Sequence, residues 1–234
     1  PPSPPSVPPP PPATLEEVLG KIRGIVPLSI MHAAMADPPQ TNETITTAMV
    51  EEASLSLSEL VTYYTYDPNM DTSSFTVSNE TFAIATELRR QVNFVASALA
   101  STLNVDAPPA TLCVPAYCQT AEKRSADKLS GPEAPPFEVT PSVGAESRAL
   151  QSSNGASVKA FITSPVSEIA GLDPSKPVEA LLFVSSGQDF AGAGSKSNLK
   201  VSGAQISFSL AQEGKELLVQ GLREPIQLTA PVSE

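Results

Sequence analysis

The residues able to do chemistry are few and widely spaced. Cysteine occurs twice, as Cys113 and Cys118. The pair could close a small disulfide loop through Val114-Pro115-Ala116-Tyr117 or stand as two free thiols. Neither Lys nor His lies near enough in sequence to activate a thiolate, so a bond there would be structural. The single histidine, His32, stands between Met31 and Ala33 after an apolar stripe and reads as a packed or surface side chain. One His and two Cys cannot supply the three or four ligands of a usual zinc site. No metal and no cofactor is expected.

Acidic pairs do not build an acid–base site either. Glu16-Glu17 and Glu51-Glu52 are neighbours on expected helices, about 100° apart around the axis, and read as solvated faces. Asp67-Pro68-Asn69-Met70-Asp71 lacks the spaced oxygens and distal Glu of a calcium loop. The run from Gly187 to Ser197 is glycine-rich but has no Walker spacing and falls between strands. No Gly-x-Ser-x-Gly elbow occurs. No catalytic residue is expected, and an enzyme is the least favoured class.

Covalent modification is the remaining chemistry. Asn42-Glu43-Thr44 and Asn79-Glu80-Thr81 are acceptor motifs for N-glycosylation, although both also fall where helix caps are expected. The first twelve residues hold nine prolines, Pro1, Pro2, Pro4, Pro5, Pro8, Pro9, Pro10, Pro11 and Pro12, with Ser3, Ser6 and Val7 between them. Proline fixes φ and removes the N–H donor, so the tract adopts polyproline II and would span roughly 37 Å. It reads as a stiff linker or as a ligand for an aromatic groove. Pro-Pro-Ser-Pro-Pro also resembles the hydroxyproline-rich glycoproteins of green-algal and plant extracellular matrices. That resemblance makes these nine prolines, with Ser3 and Ser6, candidates for hydroxylation and O-glycosylation.

The bulk numbers restrict the partners. A net charge of −11 disfavours nucleic acid, whose binding rests on neutralising phosphates with Lys and Arg. No run approaches the length of apolar sequence that spans a bilayer. The chain reads as a segment of a longer polypeptide, with targeting and anchoring elsewhere.

The elements that would carry these residues fall into four stretches: a stalk over 1–12, helices over 13–105, a connector over 106–133 and strands over 134–234. Thr14 with Glu17 forms a capping box, after which Leu15, Val18, Leu19, Ile22 and Ile25 or Val26 share a face that Pro27 kinks or ends. A second helix is expected from about Asn42 to Tyr64, with Ile45, Met49, Ala53, Leu57 and Leu60 as its stripe, and Asp67-Pro68-Asn69 as the turn after it. The third, capped by Ser78, carries Ile84, Leu88, Val92, Val95, Leu99 and Leu103. Antiparallel packing would bury these stripes together. The connector holds both cysteines and the charged run Ala121 to Gly131. Beyond Pro136 the period becomes two, with strands expected at 137–139, 158–163, 180–185, 204–210, 216–220 and 225–230. Glu213-Gly214 supplies a turn. The fold class is α+β: a polyproline II stalk, an antiparallel helical part and a C-terminal antiparallel β-sandwich.

Helices followed by such strands resemble a GAIN domain, the extracellular module of adhesion receptors and polycystin-type proteins. Three stretches carry the resemblance: Val158 to Pro165 followed by Leu172, Glu179 to Ser185, and Val201 to Pro231. It implies a non-enzymatic segment of a large surface glycoprotein, joining a proline rod to a membrane-anchored or matrix assembly. The implied location is extracellular, at the cell or ciliary surface. The implied partners are other surface proteins, a polycystin-type channel assembly and covalent glycans, with the hair-like mastigonemes of green-algal cilia as one setting. The family's proteolysis-site segment, with tryptophans and a His-Leu before a Ser or Thr, is not found in these residues, which contain no Trp. A lectin-like sandwich binding matrix glycans is the alternative, with Tyr63-Tyr64-Thr65-Tyr66 as its aromatic candidate.

Overall fold

A computed structural model describes residues 14–34, 45–65, 79–131, 134–139, 157–186, 204–217, 219 and 222–229. The proline tract with Ser3 and Ser6, Asn42, Ser78, the stretch 67–71 and the glycine-rich run 187–197 lie outside the described residues.

The architecture is α+β. Four helices, α1 (Leu15–Arg23), α2 (Leu28–Ala34), α3 (Thr47–Thr65) and α4 (Asn79–Ser101), precede eight strands. These are β1 (Ala110–Val114), β2 (Tyr117–Arg124), β3 (Phe137–Val139), β4 (Val158–Phe161), β5 (Val178–Ser186), β6 (Ala204–Gln212), β7 (Lys215–Glu216) and β8 (Gln227–Thr229). Both sheets are antiparallel, one in the order β1-β2-β5-β6-β7 and the other β3-β4-β8.

The helices start where their caps dictate. Glu17 N–H donates to Thr14 Oγ1 at 3.3 Å, and the Glu17 carboxylate accepts from Thr14 N–H at 2.7 Å, closing the expected capping box. α1 ends at Arg23 with Gly24 as its cap, and Pro27 belongs to the next element. Its carbonyl accepts from Met31 N–H at 3.2 Å, so it opens α2, a helix whose Ile30 is fully buried. α3 begins at Thr47 rather than near Asn42, because Thr46 caps it through Met49 N–H. Helix α4 is the hub against which α1, α2 and α3 pack. Accordingly its packed faces bury even Glu87 and Gln91, while Thr86, Arg90, Asn93 and Ser101 keep one stripe exposed.

The five-stranded sheet is covered on both faces, which alternation of its side chains makes possible. Val114, Tyr117, Ala121 and Phe183 join the helices in one apolar cluster. Cys118, Ala180, Leu182, Val184 and Leu210 join Phe137, Val139, Val158 and Ala160 of the smaller sheet in a second. In β6 the period of two puts Ile206, Phe208 and Leu210 on one face, and all three turn to this second cluster. Glu213 and Gly214 have φ of 52° and 73°, the left-handed pair of a type I′ turn between β6 and β7.

The connector expected over 106–133 is corrected by β1 and β2. Residues 110–124 form a hairpin, and β2 is the second strand of the main sheet, next to β5. Its charged residues Glu122 and Arg124 are buried, although the run that holds them is polar. A strand covered on both faces need not alternate, and its hydrogen-bonded polar groups hide it from a pattern search.

Candidate functional site

The structure brings Cys113 and Cys118 together as a disulfide, closing the β1–β2 hairpin. The two stand directly opposite each other, with Cα atoms 4.1 Å apart, as a close non-hydrogen-bonded pair does. Around this bond three layers meet. Cys118 is fully buried between the two sheets, while its neighbour Tyr117 turns the other way into the helices. The Tyr117 hydroxyl donates to the Ser54 carbonyl of α3 at 3.3 Å, and Ala116 N–H donates to Ser58 Oγ at 3.0 Å. Burial pushes the Tyr117 hydroxyl above its ordinary pKa, so it stays a neutral donor. The Tyr117 ring lies 5.4 Å from that of Phe183, over which the Arg89 guanidinium of α4 sits at 3.8 Å. Burial lowers the Arg89 pKa to about 10, which leaves it charged at neutral pH.

A second joint ties the hairpin to the smaller sheet. Arg124 donates from Nε and Nη2 to the two Glu122 oxygens at 2.7 and 2.9 Å. Its remaining donors reach the carbonyls of Pro135 at 2.6 Å and Pro136 at 3.0 Å, and it lies 3.9 Å from the Phe137 ring centroid. Residues two apart on a strand share a face, so this bidentate pair points where β3 begins. On the opposite face Lys123 stands 3.5 Å from Glu179, whose carboxyl is pushed up by burial and only partly drawn back by that lysine. A third joint closes the end of α4. Asp106 accepts from Lys128 Nζ at 2.8 Å and from Ser125 N–H at 3.0 Å, which hold its carboxyl down to about 2.

The other residues singled out in the sequence are scattered. Asn79 is the first residue of α4 and is exposed. His32 lies in α2. Glu16, Glu17, Glu51 and Glu52 are exposed, in keeping with solvated faces. Tyr63 is 78% exposed, with its ring edge-on to Tyr64 at 4.8 Å. A groove of about 240 Å³ between the α1–α2 turn and α3 is lined by Ile25, Pro27, Met49, Glu52, Ala53 and Ser56. Among the described residues no three His, Cys, Asp or Glu side chains gather as a metal site, and no helix is long and apolar enough to cross a membrane.

No protein-family model matches the chain, and no curated protein matches it. What distinguishes the molecule is therefore its own geometry, a hairpin bolted to helices on one face and to a second sheet on the other. Sequence reasoning found its cysteines but missed Tyr117, Glu122, Arg124, Ser54 and Ser58. The available signal was the Glu122-x-Arg124 spacing, which places opposite charges on one face of a strand.

The chain-entropy effect of so short a loop is modest, about 2 kcal/mol. Reduction should lower the unfolding free energy by about 2 kcal/mol, read as a fall in the denaturant midpoint at constant slope, because the bonds to α3 still hold the hairpin. Loss of the native circular dichroism on reduction alone would contradict this.

Proposed function

We propose that the chain is a non-enzymatic structural and adhesion segment of a large extracellular surface glycoprotein. In this reading the helices and the two sheets, the latter as a β-sandwich, form a GAIN-like body. The body joins the proline-rich rod of residues 1–12 to a membrane-anchored or matrix assembly, with the ciliary mastigoneme and a polycystin-type channel assembly as the setting and the partner. The supporting observation is the Cys113–Cys118 hairpin, which links α3, the main sheet and the smaller sheet, as a module carrying tension requires. A disulfide also favours an oxidising compartment. The buried charges support the same reading, because Glu122, Arg124, Lys123 and Glu179 are all engaged in ion pairs across or within strands.

Peptide-mapping mass spectrometry on protein from its native source tests this. Hydroxylated, glycosylated prolines in Pro1–Pro12 and glycans on Asn42 and Asn79 are expected. Unmodified prolines with bare Asn79 would overturn the extracellular reading and leave the tract as a polyproline ligand for another domain.

The lectin-like reading rests on one observation, the exposure of Tyr63. Aromatic faces stack on sugars, yet the edge-on Tyr64 leaves a single ring rather than a flat platform. Binding on a glycan array that disappears in Tyr63→Ala would favour it, and an empty array would remove it.

A further inference from the structure

The polar side chains of β2 divide by the face they occupy. Thr120, Glu122 and Arg124 share the face of Cys118, toward the smaller sheet, and all three are bonded. Thr120 Oγ1 meets Thr111 Oγ1 at 2.8 Å, while Arg124 joins Glu122 to the Pro135 and Pro136 carbonyls. On the opposite face Lys123 pairs with Glu179 across the ladder. Gln119 stands on that face too, between Tyr117 and Ala121 and under the helices. It is 1% exposed, and among the described residues neither its amide oxygen nor its amide nitrogen has a hydrogen-bond partner.

Register sets the surroundings of this amide. Across the ladder Gln119 faces Leu112 of β1 and Phe183 of β5. Leu112, Phe183 and Ala121 bring no polar side-chain atom, and the Tyr117 hydroxyl donates to the Ser54 carbonyl of α3. Above the sheet, α4 packs across both β2 and β5, with Arg89 over the Phe183 ring. Ser185 is the diagonal neighbour of Gln119. It stands opposite Tyr117, two residues on from Phe183, and turns to the same face. Ser185 is fully buried, and its hydroxyl likewise has no partner among the described residues.

Diagonal neighbours in a ladder lie about 7–8 Å apart, which brings a glutamine amide and a serine hydroxyl within the span of one bridging molecule. A buried amide without bonds forfeits its hydration and gains nothing in return. The amide offers one carbonyl and two N–H groups, and the hydroxyl both donates and accepts. An ion would satisfy only one end of the amide, so the ligand must be small, neutral and able to donate and accept at once. Water has that chemistry, and internal waters typically make about three hydrogen bonds each. We propose that a buried water molecule bridges the Gln119 amide and the Ser185 hydroxyl beneath α4. It ties β2 to β5 through their side chains where the helices rest on the sheet, and it does so whether or not the chain is extracellular.

Oxygen-17 relaxation dispersion of the solvent detects water held inside a protein for longer than the protein tumbles, and hydroxyl protons do not enter it. The full chain should show such a component. It should fall by the equivalent of one molecule in Gln119→Met, whose side chain has similar length and no amide. Ser185→Val, which puts a methyl group where the water lies, should remove the same component. An unchanged far-UV circular dichroism spectrum shows that each variant folds, and if Gln119→Met does not, Ser185→Val decides by itself. A dispersion unchanged in the folded variants overturns the proposal, whether the amide is dry or bonded by another part of the chain. A loss confined to one of two folded variants also overturns it, because the water then has a different bridge.

Discussion

Arg124→Met should lower the stability of the folded chain by about 3–5 kcal/mol, the range for removing one partner of a buried ion pair. The arginine and Glu122 side chains are only 5% and 12% exposed. Without the guanidinium, the Glu122 carboxylate is left buried without its cation, and the Pro135 and Pro136 carbonyls lose their donors. Glu122→Leu combined with Arg124→Met removes the orphaned charge as well. The double variant should therefore recover at least about 1.5 kcal/mol relative to the sum of the single changes. Urea unfolding of the four proteins measures this, read as a shift in midpoint at constant slope. If the run were a solvated face, as its composition suggests, the arginine variant would lose less than about 1 kcal/mol.

Phe183→Ala should cost a similar amount, about 3–5 kcal/mol, as large-to-small changes of buried aromatics do. Phe183 is 5% exposed and stands where α4 meets the main sheet, between the Tyr117 ring and the Arg89 guanidinium. Its truncation opens a cavity in the interface itself, not within one layer. Helices and sheet share this cluster, so the variant should still unfold in one transition, with far-UV circular dichroism and tyrosine fluorescence coinciding. Two separated transitions would mean that the helices and the sheets are independent units.

How much of this could be read from the chain depended on whether the deciding contacts were local. The Thr14–Glu17 box, the apolar face of α4, the alternation of β6 and the Glu213-Gly214 turn are set by neighbours within a few residues, and all were legible. The cysteine pair was legible as a possibility, and the register of β1 and β2 decides it. The hairpin itself was hidden. Tyr117 to Arg124 reads as a polar stretch, and only the fold shows Thr120 meeting Thr111 across the hairpin and Arg124 joining Glu122 to the Pro135 and Pro136 carbonyls. Pro27 reads as a kink or an end of the first helix, whereas the burial of Ile30 against α4 makes it a start. β7 was overestimated because nothing in residues 216–220 announces that the chain is drawn to Ser164 and Glu168.

Stretching the single molecule, with force applied through the proline tract and through Glu234, tests most directly the reading that the segment carries tension. One rupture is expected, with helices and sheets giving way together because the Cys113–Cys118 hairpin joins them through Ser54, Ser58 and the inter-sheet cluster. Stepwise release, with the helices yielding at low force before an intact pair of sheets, would contradict it.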